Sequence, residues 1–221
     1  MSGSRGERDV TASFLFPFRG RRHLWRWAVG SLLVAVLPVS FVVVFGYTVG
    51  CIRVAAADAA AGPPGWRVRR RLLSDGAWSG LQAAVLTLPF VTLAWLASGE
   101  LGQAWHPTGD RFVDSANALV VAVAAVALPW GVLMLTAVPP TVARFAMSGR
   151  PADLASLTAV VQAIRGRFAD WNLVIVTITT SWLLAAAGLA VALIGVVPGA
   201  YYAILVSAHA CAALSPDCSA R

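Results

Sequence analysis

Charge is missing from long stretches of this chain, and that absence constrains the fold more than any motif does. Residues 28–52 contain no charged side chain. At about 1.5 Å of rise per helical residue, a run of this length exceeds the roughly 30 Å hydrocarbon core of a bilayer. Similar apolar runs occupy residues 78–97, 116–138 and 173–194, and a shorter one fills 199–214. With 58% hydrophobic and 12% charged residues and a mean hydropathy of +0.74, the chain is too apolar for a soluble domain of 221 residues. The expected class is all-α: a polytopic helical membrane protein with about five membrane segments plus one amphipathic interfacial helix.

The runs sit in a single membrane domain over 14–214, between a polar N-terminus at 1–13, expected to be disordered, and a short tail at 215–221. Phe14, Phe16, Phe18, Trp25 and Trp27 alternate with Arg19, Arg21, Arg22 and Arg26, as in a segment whose rings lie at headgroup depth and whose guanidinium groups reach water. Pro38, Pro89 and Pro129 fall inside the first three runs, each preceded by leucine, and predict kinks or breaks. Such breaks can surround a transport site, but neighbouring helices also satisfy freed carbonyls in ordinary kinked spans. Between residues 151 and 168, Leu154, Leu157, Val161, Ile164 and Phe168 recur at three- and four-residue spacing. Pro151 and Asp153 at the start and Arg165 and Arg167 at the end suit an amphipathic helix on the membrane surface or against the bundle. Gly195, Pro198 and Gly199 predict a tight turn that makes the last two runs a helical hairpin.

All 17 basic residues are arginine, and the net charge is +7. No basic stripe lies on a soluble module, so the expected partners are anionic lipid headgroups, not nucleic acid. Six arginines precede the first run, five lie in 53–77, one in 99–115, four in 144–167 and one in the tail. If the first run crosses once, the richest basic segments fall on opposite faces. If it bends back at Pro38, sixteen arginines share one face, which obeys the charge rule far better and places both termini in the cytoplasm. About 25 residues are too few for two full spans, so the expectation is a broken or re-entrant first segment.

Cys51, Cys211 and Cys218 form neither a disulfide framework nor a zinc spacing. Cys51 reads first as a buried small residue and second as a lipidation site. Neither a triad, a paired carboxylate, a phosphate-binding glycine loop nor an HExxH helix is present, so no catalytic, cofactor or metal residues are assigned and the chain is expected to be non-enzymatic. His209, near Tyr202, is the candidate intramembrane polar site, with a hydrogen bond to a neighbouring helix as the blander alternative.

One stretch does carry a pattern. Gly46 and Tyr47 close the first run, Arg53 follows, then Pro64 and Trp66, and Asp75 and Gly76 open the next run. Asp75 reads as a helix N-cap or as a salt-bridge partner of Arg53 or Arg69. This constellation, with Phe16-Pro17-Phe18 before Trp25 and the Tyr202-containing last segment, resembles the prokaryotic membrane family called domain of unknown function 4013. Gly65 separates the proline from the tryptophan, and Gly50 stands where that family often has a second arginine. The resemblance implies a multi-pass cytoplasmic-membrane protein and supplies no activity. The expected role is an accessory or scaffolding subunit with a membrane-protein partner or a homo-oligomeric state; a small oligomeric transporter or channel is the alternative.

Overall fold

The computed structural model describes residues 5–19, 23–67, 69–104, 110–191 and 193–215. Among them, eight α-helices and two 3-10 turns account for the regular structure. The helices are α1 (Arg5–Leu15), α2 (His23–Ala35), α3 (Leu37–Ala57), α4 (Arg70–Ala104), α5 (Arg111–Ser148), α6 (Leu157–Gly166), α7 (Phe168–Val191) and α8 (Leu193–Ala212). Four of them contain segments long and apolar enough to cross a membrane: Ser40–Ala57, Arg70–Gly102, Val113–Ser148 and Phe168–Gly188. Two compact units emerge, one joining Met1–Gly80 to Pro139–Arg221, the other formed by Leu81–Val138.

The first apolar run is broken, and its two halves fold back on each other. α2 stops at Ala35, Val36 leaves helical geometry, and Pro38 falls in the first turn of α3. There its missing N–H removes no helical hydrogen bond. The Ser40 hydroxyl bonds back across the break to the carbonyls of Leu33 and Val36. Had the run stayed straight, Arg26 and Ala57 would lie about 47 Å apart, and six residues of connecting chain reach only about 20 Å. Instead Arg26 donates to the Pro63 carbonyl at 2.6 Å, and Arg19 reaches the Ala59 carbonyl. The beginning of α2 and the end of α3 therefore meet, as bending at Pro38 requires.

A second hairpin follows from α7 and α8. α7 ends at Val191, and α8 begins at Leu193 and runs through Gly195, Pro198 and Gly199, so the predicted turn at those three residues is incorrect. They serve packing instead. Gly195 approaches Gly188 so closely that an added Cβ would lie 2.9 Å from the Gly188 carbonyl oxygen, and Gly199 rests on Ala185. At the open end, Arg167 donates to the carbonyls of Ala213 (2.6 Å) and Ser215 (3.3 Å) while pairing with Asp170 at 3.0 Å. Its charge complements the exposed carbonyls at the C-terminal end of α8. α8 also packs on α1, α2 and α3.

Other expectations need correction. The N-terminal stretch expected to be disordered is helical from Arg5, because Ser13 and Phe16 are buried. Polar composition hid this docking edge. α5 passes through Pro139 and Pro140 and ends only at Ser148, since Thr141, Val142, Phe145 and Ala146 are buried. The amphipathic helix starts six residues late: a 3-10 turn covers Pro151–Ala155, and α6 begins at Leu157 after Ser156, whose hydroxyl accepts from the Ala159 N–H. Across this stretch Leu154 of the 3-10 turn and Ala159 and Ala163 of α6 are buried, whereas Leu157, Val161 and, at the start of α7, Phe168 are exposed. In the unit Leu81–Val138, Trp130 Nε1 donates to Thr87 Oγ1 at 3.1 Å, while Leu88, Trp95, Val120 and Leu128 face outward. His106, between the second and third apolar runs, and Cys218 lie outside the described residues.

Candidate functional site

Gly46 and Gly76 mark the place where α3 and α4 touch backbone to backbone. A Cβ on Gly46 would lie 1.9 Å from the Leu72 carbonyl oxygen, and one on Gly76 would lie 1.8 Å from the Val42 carbonyl oxygen. Only glycine allows this approach, because any side chain would overlap the opposite main chain. One turn further along α4, Gly80 receives the Phe41 ring in the same way.

Above this crossing, the two helices are tied by charge. Asp75 is buried, and its Oδ2 accepts from Arg53 NH1 at 2.5 Å, with Arg71 Nε at 4.0 Å on the solvent side. Arg53 Nε donates to the Ala146 carbonyl at 2.6 Å, which brings the last turns of α5 into the same joint. Of the two readings of Asp75, the salt bridge to Arg53 is the observed one. The N-cap reading is incorrect, since α4 begins at Arg70 and Asp75 already lies inside it. A partly buried ion pair linked to a third helix restricts how those helices meet, and removing one partner would leave the other charge desolvated.

The rest of the pattern fastens the connecting loop. Trp66 stacks on Tyr47 at 3.7 Å between ring centroids and 12° between planes, and the Tyr47 hydroxyl donates to the Pro64 carbonyl at 2.8 Å. Trp66 Nε1 in turn donates to the Arg26 carbonyl at 3.3 Å. Tyr47 is thus a buried post for the loop, and Trp66 folds inward on it; the loop is tipped by Arg67, Arg69 and Arg70, which remain exposed. Pro64 contributes its carbonyl and its restricted φ, and Gly65 has open space around it.

His209 and Tyr202 form a second polar cluster, positioned by α8. His209 Nδ1 is 2.9 Å from Ser13 Oγ, its Nε2 is 3.3 Å from the Ala59 carbonyl oxygen, and its ring lies 4.8 Å from Phe16. The Tyr202 hydroxyl donates to the Phe14 carbonyl at 3.2 Å. These contacts put His209 level with the loop that follows α3, where it joins α8 to α1, as the hydrogen-bonding alternative expects. Phe18 and Trp27 stack at 5.4 Å beside Tyr202.

The arrangement is suited to holding helices in register. Arg53, Asp75, Tyr47, Trp66 and the two glycines each have a neighbouring helix or loop as partner. Among the described residues no three His, Cys, Asp or Glu side chains converge as metal ligands. The pattern alone could not reveal Ala146, Ser13 or Leu72 as partners, because two contribute only a backbone carbonyl and Ser13 lies in a stretch of polar composition. No curated protein and no solved structure matches the chain. Residues 29–206 match the model of the family described as a protein of unknown function, DUF4013, and the chain belongs to that family.

Proposed function

We propose that the protein resides in the cytoplasmic membrane with both termini on the cytoplasmic side. There it acts as a non-enzymatic accessory or scaffolding subunit, meeting partners through its basic cytoplasmic face. The observation that carries this reading is the use to which the patterned residues are put: Gly46 with Gly76, Arg53 with Asp75, and Tyr47 with Trp66 all fix one element against another. Side chains devoted to a rigid joint support a role in presenting surfaces. Two surfaces are available for it: the arginines of the 58–69 loop, and the outward apolar side chains of Leu81–Val138.

Native mass spectrometry of the tagged protein, extracted from its own membrane in mild detergent, tests the proposal. A second protein recovered in fixed stoichiometry, and lost when Arg67, Arg69 and Arg70 are changed together to Gln, is the expected result. A bare homo-oligomer that conducts or transports a solute in vesicles would overturn it in favour of a small oligomeric transporter or channel.

A further inference from the structure

A cleft of about 630 Å³ opens beside α6, bounded by the end of α5, the 3-10 turn after it and the end of α8. Its polar wall carries Arg144, Ser148, Arg150, Asp153, Gln162 and Arg167. Three guanidinium groups thus face one carboxylate. Arg144 pairs through its Nε with Asp153 at 3.0 Å, which neutralises that acid, and its side chain is 41% exposed. Arg167 is occupied by Asp170 and by the carbonyls of Ala213 and Ser215, so it supplies positive field more than hydrogen bonds. Arg150 is exposed and makes no ion pair with the described residues. The remainder of the cleft is apolar, with Pro140, Met147 and Leu214 among its walls. Beside it, α6 turns Leu157, 79% exposed, outward together with Val161, and Phe168 follows at 59%.

A cationic recess with an apolar floor, next to an outward apolar helix edge, has the two halves needed to hold an amphiphile. Arginine's planar donor fork matches phosphate oxygens. The exposed leucine, valine and phenylalanine would enter the boundary between headgroups and acyl chains. We propose that this cleft binds the phosphate of an anionic lipid headgroup, with Arg144 and Arg150 as its cationic contacts and the apolar edge of α6 seated in the adjoining lipid. The inference rests on membrane residence, and is independent of whether a protein partner exists.

Full-length protein in mild detergent, titrated with phosphatidylglycerol or phosphatidylcholine and followed by native mass spectrometry, tests the site. Phosphatidylglycerol should be retained and phosphatidylcholine should not. Arg150→Gln should weaken retention about fivefold, the factor one arginine contributes near an anionic surface. Arg144→Gln with Arg150→Gln should abolish it. Because the Arg150 side chain makes no ion pair with the described residues, its single variant should melt like the parent, and its lipid affinity decides the matter even if the double variant misfolds. Equal retention of both lipids, or unchanged affinity in Arg150→Gln, would overturn the proposal. So would stabilisation by inorganic phosphate without retention of phosphatidylglycerol, which would make the ligand a soluble anion.

Discussion

A methyl group is the smallest probe of the joint between α3 and α4. Placed on Gly76 it would sit 1.8 Å from a main-chain oxygen that no side-chain rotation can move, so the helices must separate. Gly76→Ala and Gly46→Ala should each cost more than the roughly 1–3 kcal/mol of ordinary overpacking. Gly65→Ala, with open space around it, should leave the thermal unfolding midpoint in detergent within a degree or two of the parent. The ion pair obeys a different logic. Arg53→Met or Asp75→Asn alone should destabilise by about 2–4 kcal/mol, because each leaves a partly desolvated partner behind. The combined variant should lose clearly less than the sum, and a double-mutant cycle of melting midpoints measures the difference; strict additivity would show that Arg53 and Asp75 are not coupled. At this scale the sequence was informative where chemistry is distinctive. An arginine, an aspartate and two glycines on either side of the basic loop announce themselves. A carbonyl such as that of Ala146 has no identity in the sequence, so the third member of the joint emerges only in three dimensions.

Among the elements, the broken α2–α3 segment makes the sharpest prediction. Its ends meet through Arg19 with Ala59 and Arg26 with Pro63, so Leu24 and Gly65, both exposed, lie at the same end of this hairpin. In a background with Cys218→Ser, an impermeant maleimide applied to intact cells should label Leu24→Cys and Gly65→Cys alike, or neither. The remaining native thiols, Cys51 and Cys211, are buried and will not obscure the result. Labelling of one position alone would refute the re-entrant arrangement. The proline at 38 and the arginine distribution made this bend readable in advance, because both are local in sequence. Helix limits were harder. Pro139 and Pro140 look like a stop, yet α5 continues, since burial of Phe145 and Ala146 outweighs the lost hydrogen bonds. Pro151 looks like a helix start, but the Ser156 hydroxyl caps α6 five residues later. Ser156→Ala should lower stability by about 1 kcal/mol in the same melting assay, the usual weight of a lost N-cap.

For the molecule as a whole, the candidate spans and the all-helical class were legible because charge-free length is a one-dimensional property. Which helix meets which was not, and the least predictable result is the central place of α8, read from sequence only as a short return segment. Tyr201 lies where a side chain on Gly30 would be, His209 and Tyr202 hold the N-terminal region, and α7 lies along its length. A chain synthesised from its N-terminus therefore emerges with α1, α2 and α3 complete but lacking the helix that joins them. Until residue 212 has left the ribosome, the niche beside Gly30 is empty and Ser13 has no imidazole to meet. α8 thus closes the assembly that α1, α2 and α3 begin, and a polypeptide interrupted before it would be left with unfinished surfaces.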